Sequence, residues 1–166
     1  ATPVWIATLP NFKFLNRKIQ MDTLDYPPSD QWQLFNQPGE GIAEWREIVE
    51  KIGVEAAEAH GIKFTKWESR ARQHVRKPLE SDPPHHHPLG EGLVGVYYMQ
   101  APENSGDILL HDARGSVTDI WQDPYVKANI ESNRANFSGL SIYRIKPEVG
   151  KLILFPTYLI HSVETN

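Results

Sequence analysis

Two short β-strands are predicted by the stretch Gly150-Lys-Leu-Ile-Leu-Phe155-Pro156-Thr-Tyr-Leu-Ile-His161-Ser-Val163. The glycine turns the chain into the apolar run Leu152 to Phe155, and the proline ends that run. The second strand begins near Ile160 and carries a histidine in its first positions. Runs of this kind, separated by Pro and Gly, recur along the chain, so we expect a mainly β protein.

Six further candidate strands are spread along the chain. Together with the two above they bring the expected number of strands to about eight. The weakest patterns are those of Val4 to Leu9 and Trp32 to Phe35. The others are Ile62 to Val75, Leu93 to Met99, Ile108 to Leu110 and Leu140 to Ile145.

One helix is predicted between Gly41 and His60, where apolar residues recur at steps of three and four. Gly61 supplies a stop, and Gly53 weakens the pattern by up to ~1 kcal/mol relative to Ala. Many short strands with one long helix favour a double-sheet jelly roll or closed barrel, with the N-terminal helix packed outside. We expect a single domain, in which 1–61 hold the N-terminal strands and helix and 62–166 form the β core.

The composition restricts the classes of function. The chain has 166 residues, which suits one domain. Because it has no cysteine, disulfide frameworks, thiolate zinc sites and cysteine nucleophiles are excluded. The formal net charge of −4 and the scattered Lys and Arg residues argue against nucleic acid or an anionic membrane as a partner. No apolar run reaches the roughly 20 residues that span a bilayer, and we expect a cytoplasmic protein.

Three consecutive histidines lie in Asp82-Pro-Pro-His85-His86-His87-Pro88. In an extended chain the side chains at i and i+2 point the same way, so His85 and His87 can converge on one metal ion while His86 faces elsewhere. The flanking prolines hold the segment extended. A solvated loop rich in histidine is the alternative for these residues taken alone.

His161 is the third candidate ligand. Strands far apart in sequence lie side by side in a jelly roll, so His161 can join His85 and His87. Taken alone, it could equally be a hydrogen-bonded core histidine. Three protein ligands on one face of an ion leave positions open for substrates. Nitrogen-rich sites of this kind suit Fe(II), while Zn(II) and Cu(II) remain chemically permitted.

Several ordered blocks are similar to one known family. They are His85-x-His87-Pro, Leu93-Val-Gly-Val-Tyr-Tyr98, Pro102-Glu-Asn-Ser-Gly106, Asp112-Ala-Arg114, Pro147-Glu-Val-Gly150, Phe155-Pro156 and His161-Ser-Val163. Together they resemble the 2-oxoglutarate- and Fe(II)-dependent oxygenase family of marine bacteria and phages, over about Trp67 to Asn166.

The resemblance implies a double-stranded β-helix, which is a jelly roll, with Fe(II) as cofactor and 2-oxoglutarate as a small-molecule cosubstrate. It also implies hydroxylation of a substrate while 2-oxoglutarate is decarboxylated to succinate. The prime substrate is not identified by the sequence. A phage-encoded protein would act in the host cytoplasm or in the virion.

The ligand set departs from that of the wider superfamily. The usual order is His-x-Asp followed by a distal His, whereas His87 takes the place of the carboxylate here. A site of three histidines carries one negative charge less and should bind a divalent ion differently. Glu91 and Asp112 are the carboxylates that could complete the site instead.

The residues expected to bind the cosubstrate also differ from those of the wider superfamily. The superfamily binds the distal carboxylate of 2-oxoglutarate with an arginine that follows the distal histidine, and no arginine follows His161. Arg114 and Arg144 are the substitutes, because a guanidinium can grip a carboxylate with two hydrogen bonds. An ion pair between Asp112 and Arg114 is the structural alternative. Tyr97 and Tyr98 point to opposite faces of their strand, so only one can reach the cosubstrate. We name Tyr97 and Arg114 as the cosubstrate-binding residues.

Two other functions fit parts of the sequence. His85-x-His87-x-x-x-Glu91, with Gly150, Pro156 and His161, also resembles the two cupin motifs, which would give a metal protein that does not use 2-oxoglutarate. The missing arginine favours a non-catalytic jelly roll that serves as a structural or interaction module, for example in a phage particle.

Two segments carry further expectations. The polar stretch Asp119 to Asn136 could be a lid over a barrel mouth or a surface loop. The chain stops at Asn166 directly after a strand pattern, so we expect a further C-terminal portion. A final strand cut short would leave a sheet edge that favours pairing into a homo-oligomer.

Overall fold

The computed structural model describes residues 2–29, 31–88, 91–111 and 142–166. Within these ranges the chain forms two helices, one 3-10 turn and seven strands. The helices are α1 (Phe12–Asp22) and α2 (Glu40–Ala59), and the turn is Leu34–Asn36. The strands are β1 (Trp5–Thr8), β2 (Asp82–His85), β3 (Leu93–Tyr97), β4 (Ile108–His111), β5 (Ile142–Ile145), β6 (Lys151–Pro156) and β7 (His161–Val163).

The strands form two antiparallel sheets. Sheet A has the order β1-β6-β3, and sheet B has the order β2-β7-β4-β5. The prediction of a mainly β protein is therefore confirmed. No helix in the part of the chain that the structure describes combines the length and the apolar character needed to cross a membrane.

Strand β6 lies between the two apolar clusters of the protein, which explains its continuous apolar run. Leu152 and Leu154 point to the helices and belong to a helix-side cluster with Leu15, Ile42 and Trp45. Their neighbours along the strand point the other way, because side chains alternate in a strand. They form an inter-sheet cluster with residues of β4 and β5, whose main members are Ile108, Leu110, Ile145, Ile153 and Phe155.

Helix α2 confirms the predicted helix and its stop. After Ala59 the chain turns at Gly61, where φ is +67° and the amide donates to the Glu58 carbonyl. A left-handed residue at this position is the usual way to end a helix, and glycine adopts it without strain.

Helix α1 was not predicted, so the expectation of a single helix is wrong. Only Leu15, Asn16 and Ile19 are buried along it, which is too few to give a clear helical pattern in the sequence. The helix is held by α2 instead: the Asp22 carboxylate accepts a hydrogen bond from the Ile42 amide at 3.0 Å. This contact caps the N-terminus of α2, where a negative charge is favourable.

Two expected strands are absent from the described chain. Trp32 to Phe35 contains the beginning of a 3-10 turn, and Ile62 to Val75 forms neither helix nor strand. The second segment instead bonds to the chain before α2: the Leu34 amide donates to the Ala71 carbonyl at 2.8 Å. The Ala71 carbonyl therefore accepts a hydrogen bond from a loop and not from a neighbouring strand. The predicted lid, Asp119 to Asn136, lies outside the described residues.

Candidate metal centre

Strand pairing brings two of the predicted ligands together. His85 ends β2 and His161 begins β7, and the two residues are register partners in the antiparallel pair. Directly opposed residues of an antiparallel pair point to the same face. That face is the inner face of sheet B, because His161 is also opposite the buried Leu110 of β4.

The third histidine completes the group. The ring centroids of His85 and His161 are 4.2 Å apart, and the ring of His87 stacks on that of His161 at 5.1 Å. One ring nitrogen from each residue lies within 4.8 Å of the other two, a group able to hold a metal ion. The structure thus brings together all three residues that the sequence singled out.

Backbone carbonyls orient two of the imidazoles. Nδ1 of His161 donates to the Leu159 carbonyl at 3.0 Å, and Nδ1 of His85 donates to the Pro83 carbonyl at 2.9 Å. Since a carbonyl only accepts, the hydrogen of each ring is on Nδ1. Nε2 of both rings then has a free lone pair, which is the arrangement that metal-binding histidines use.

His87 is positioned by Thr157, a residue that the sequence analysis did not single out. The His87 amide donates to the Thr157 carbonyl at 3.1 Å, and the Thr157 hydroxyl donates to the Glu91 carbonyl at 2.7 Å. Thr157 is buried. Its two hydrogen bonds connect His87 and Glu91, which follow β2, to the turn between β6 and β7. Its place directly after Phe155-Pro156 is the only signal that the sequence offers.

His86 points away from this group. It is exposed, and its Nδ1 donates to the backbone carbonyl of His87 at 2.9 Å. The prediction that the middle histidine faces elsewhere is confirmed. His86 is therefore a useful control residue, since it belongs to the same short segment but not to the cluster.

Two of the three imidazoles favour the neutral form. Burial is the main reason that the pKa of His161 is lowered, and the neighbouring His85 and His87 lower it further, against the Leu159 carbonyl and Asp82. Burial also lowers the pKa of His87, and His85 and Arg72 add to this while Glu91 opposes it. Near neutral pH both rings are thus unprotonated and available to a cation.

Apolar side chains surround the buried side of the cluster. The Phe155 ring lies 4.8 Å from that of His161, and Leu110 is opposite His161 in the sheet. Phe155 and Leu110 are both members of the inter-sheet cluster. The three nitrogens therefore lie at the edge of the inter-sheet cluster. Phe155 and Leu110 form an apolar wall on one side of them.

Of the two alternative carboxylates, Glu91 does not join the group in the described chain. Glu91 is exposed and is not among the residues that form the metal-binding cluster in the described chain. Asp112 lies outside the described residues.

The two adjacent tyrosines are on opposite sides of sheet A, as expected, but Tyr97 is on the side away from the histidines. Its ring packs in the helix-side cluster, and its hydroxyl donates to Oδ1 of Asn16 at 2.6 Å. Tyr98 packs instead in the inter-sheet cluster, together with Phe155. Burial raises the pKa of each tyrosine to about 12. The structure thus does not bring Tyr97 to the metal centre.

Arg144 is also on the far side of its sheet. It is opposite Leu109, so it points away from the face that carries Leu110 and His161. It forms ion pairs with Glu164 and, at 3.7 Å, with Asp107. The charge of Arg144 is therefore compensated by Glu164 and Asp107 on the outer face of sheet B. Arg114, the other predicted cosubstrate residue, lies outside the described residues.

The donor set fits a divalent transition metal such as Fe(II). Three imidazoles converge from one side, two of them with the free nitrogen fixed by a backbone hydrogen bond. Imidazole suits Fe, Zn and Cu, and three donors leave positions open for other ligands. The site is thus suited to hold an ion that also binds small molecules.

One comparison with known protein families includes this site. The family model described as "Putative 2OG-Fe(II) oxygenase" matches residues 72–166, which include all three histidines. Among solved structures, a novel N-substituted L-amino acid dioxygenase from Burkholderia ambifaria AMMD, in complex with alpha-KG, is similar over 98% of this chain and 77% of that chain. The identity is 14% and the TM-score is 0.45. No curated protein matches the chain.

The family description names the cofactor and the cosubstrate, Fe(II) and 2-oxoglutarate, and the three-histidine group fits the iron. Since the matched residues make up more than half of the sequence, the chain belongs to the family of 2OG-Fe(II) oxygenases.

Proposed function

We propose that the protein is an Fe(II)- and 2-oxoglutarate-dependent oxygenase that hydroxylates its substrate while 2-oxoglutarate is decarboxylated to succinate. His85, His87 and His161 are the proposed iron ligands. The observation that carries the proposal is the convergence of one nitrogen from each of these residues within 4.8 Å, inside the segment that matches the oxygenase family.

The fold that we propose is a jelly roll of the double-stranded β-helix type, with the helices outside. Two antiparallel sheets that pack through the inter-sheet cluster support this proposal. Both helices lie on the other face of sheet A, where they contribute to the helix-side cluster. In such a fold the open end of the inter-sheet space is the natural place for a metal centre.

The protein's own residues would orient the ligands and shield them from water. The carbonyls of Pro83 and Leu159 fix two imidazole rings, so little ordering remains for the metal to impose. Thr157 fixes the backbone of His87. Phe155 covers the buried side of His161, which lowers the local dielectric and strengthens electrostatic interactions with the bound ion.

Fe(II), when bound, would supply positions for chelation of 2-oxoglutarate and for the activation of dioxygen. For the carboxylate of the cosubstrate we propose Arg114, together with Tyr98 in place of Tyr97. Tyr98 is the member of the pair on the inter-sheet side, where it packs with Phe155. Its electrostatic neighbours are Arg76 and Asp107.

Anaerobic absorption spectroscopy tests this proposal. Fe(II) and then 2-oxoglutarate are added to metal-free protein, and a visible charge-transfer band that needs both additions is the expected result. The same band is expected for His86→Ala and not for His161→Ala, because only the second residue belongs to the cluster.

Other outcomes separate the alternatives. Fe(II) binding without a band on addition of 2-oxoglutarate would contradict the cosubstrate and favour a cupin-like metal protein. Failure to bind Fe(II), measured by equilibrium dialysis, would contradict the metal site itself. A structural or interaction module would then be the better interpretation of the fold.

A further inference from the structure

A basic segment lies along the chain between α2 and β2. Lys63 to Lys77 contains six of the 17 Lys and Arg residues of the protein and one of its 21 Asp and Glu residues. The interpretation of the Lys and Arg residues as scattered is therefore wrong for this segment. A local concentration of one charge sign attracts ligands of the opposite sign, even where the net charge of the protein is −4.

The second half of this segment has two distinct faces. From Trp67 to His74, partly buried and exposed residues alternate, as side chains do in an extended chain. The partly buried face contacts α2, where the Trp67 ring lies against Gly53 and the Ser69 hydroxyl donates to the Glu50 carboxylate. These contacts fix which face of the segment points outward.

The outward face carries a basic strip that consists of Arg70, Arg72 and His74, all of them exposed. At about 3.3 Å per residue, neighbours in an extended strip are about 7 Å apart and the whole strip is about 13 Å long. Glu68 begins the same face and pairs with Arg70 at 3.4 Å, but both side chains are exposed, so the pair contributes little. Groups with this spacing are contacted together by an extended ligand and not by a single small ion.

The basic strip leads to the strand that carries a metal ligand. Just after the strip, Arg76 forms an ion pair with Asp82, the first residue of β2, and β2 ends at His85. Burial and His85 lower the pKa of His87, and the positive charge of Arg72 adds to this effect. A ligand bound along the basic strip therefore lies close to the histidine cluster.

The chemistry of the strip favours an acidic peptide over a nucleic acid. A guanidinium binds a carboxylate with two hydrogen bonds, and the side chains of an extended peptide repeat every two residues, as the strip does. Proteins bind single-stranded nucleic acids with basic groups and with aromatic side chains that stack on the bases. From Glu68 to His74 the outward face has no Trp, Tyr or Phe, because Trp67 is turned toward α2.

We propose that Arg70, Arg72 and His74 bind an acidic segment of an extended peptide substrate and hold a neighbouring residue of that peptide at the metal centre. Carboxylates at alternate positions of the peptide would face the three side chains. The role of this peptide as a substrate rests on the proposed function, whereas its binding to the strip requires no metal ion.

Fluorescence anisotropy of fluorescein-labelled hexaglutamate tests binding to the whole chain at low salt. We expect saturable binding that weakens as the salt concentration rises, since salt screens exposed charges. A variant with both Arg70→Glu and Arg72→Glu should bind about tenfold more weakly or worse, because two attractive charges become repulsive. The matched control has both Lys13→Glu and Arg17→Glu, which change the net charge equally at exposed positions of α1 and should alter the affinity by less than about twofold.

Several results would overturn the inference. Circular dichroism first checks that both double variants are folded. An equal loss of affinity in the two would then mean that only the net charge matters. Wild-type protein that gives no saturable binding would exclude the strip as a peptide site. Tighter binding of a labelled oligothymidylate than of hexaglutamate would replace the acidic peptide by a nucleic acid.

NMR spectroscopy tests whether the bound peptide lies near the metal centre. The signals of hexaglutamate should shift or broaden with Co(II)-loaded wild type, because a paramagnetic ion acts on nuclei close to it. They should not change in this way with His161→Ala at the same Co(II) concentration, although this variant should still bind hexaglutamate by anisotropy. Unchanged signals with the Co(II)-loaded wild type would overturn the role of the peptide as a substrate.

Failure of the inference can be distinguished from failure of the proposed function. Wild-type protein that shows the charge-transfer band with Fe(II) and 2-oxoglutarate but does not bind hexaglutamate overturns the inference and leaves the oxygenase proposal intact. Protein that binds hexaglutamate but shows no band overturns the proposed function and, with it, the role of the peptide as a substrate.

Discussion

His85 and His161 lie directly opposite each other in the antiparallel pair of β2 and β7, with ring centroids 4.2 Å apart. Strand pairing therefore fixes the position of His85 relative to His161, and the hydrogen bonds of the sheet maintain it. His87 follows two residues after His85 and stacks on His161 at 5.1 Å. Since strand pairing and the i, i+2 spacing already bring the three rings together, binding of an ion requires little rearrangement.

Removal of His161 should abolish tight metal binding. His161→Ala is expected to lower the affinity for Co(II) by at least about 100-fold, since it deletes a ligand and not only a residue that supports one. Isothermal titration calorimetry measures the affinity, and His86→Ala, outside the cluster, should bind as wild type does. An equal loss in both variants would mean that the cluster is not the binding site.

The common direction of His85 and His87 could be predicted because its determinants are local. The i, i+2 rule for extended chains separates His85 and His87 from His86, and two prolines before His85 secure the extended conformation. The meeting of this segment with His161 depends on topology, which the sequence alone does not determine. It was predicted only on the assumption of a jelly roll.

The errors concern segments whose partners are distant in sequence. The segment Ile62 to Val75 has a strand-like pattern, yet Ala71 bonds to the loop at Gln33 and Leu34. Helix α1 has a weak pattern, yet Asp22 and its neighbours are held by α2. In each case a tertiary contact outweighs local preference, and a single sequence does not show such contacts.

The side of sheet A on which Tyr97 lies could not be predicted either. Alternation shows that Tyr97 and Tyr98 point to opposite faces, but both faces of this sheet are covered by apolar clusters. A buried face next to helices and a buried face next to a second sheet produce the same apolar pattern. The hydrogen bond from Tyr97 to Asn16 settles which face is which.

Thr157 should contribute to both metal affinity and stability. Thr157→Val removes the hydroxyl that donates to the Glu91 carbonyl and leaves that carbonyl without the Thr157 donor. The expected cost is about 1 kcal/mol in the free energy of unfolding and roughly tenfold in Co(II) affinity. Urea unfolding and calorimetry measure the two effects, and Thr165→Val, at an exposed position, is the control. Unchanged Co(II) affinity would show that the contact of the Thr157 hydroxyl with the Glu91 carbonyl does not support the ligands.

Gly53 should resist a substitution that usually stabilises a helix. Alanine is favoured over glycine by up to about 1 kcal/mol within a helix. At this position, however, a Cβ atom would lie 2.8 Å from the Trp67 ring, closer than real contacts allow. Gly53→Ala is therefore expected to destabilise the protein by about 1–3 kcal/mol in urea unfolding.

A double-mutant cycle checks the cause of that loss. In a Trp67→Leu background the aromatic ring is gone, so Gly53→Ala should become neutral or stabilising there. The same destabilisation in both backgrounds would show that the close approach of Trp67 is not the reason.

The metal-free protein should lose stability as the pH falls below about 6.5. Burial lowers the pKa values of His87 and His161, so the unfolded chain binds protons at a pH where the folded chain does not. The free energy of unfolding therefore decreases with falling pH, and the decrease ends below the lowered pKa values of the folded state.

Urea unfolding at about pH 7.5 and pH 5.5 measures this decrease, on either side of the ordinary histidine pKa. A variant that carries both His87→Asn and His161→Asn should show a smaller difference between the two pH values. Other titrating groups are present in both proteins, so their contributions to the pH dependence of the free energy of unfolding cancel in the comparison. An identical pH dependence would contradict the lowered pKa values.

Substitution of each of the two adjacent tyrosines should show which one supports the fold and which one binds the cosubstrate. Tyr97→Phe removes a donor to Asn16 on the helix side, so about 1 kcal/mol of stability should be lost without change in 2-oxoglutarate affinity. Tyr98→Phe alters a side chain between the sheets, so the metal-loaded protein should bind 2-oxoglutarate roughly tenfold more weakly. Titration of 2-oxoglutarate into Co(II)-loaded protein measures both variants. A loss of affinity in Tyr97→Phe alone would restore Tyr97 as the cosubstrate residue and require the space for 2-oxoglutarate to extend through sheet A.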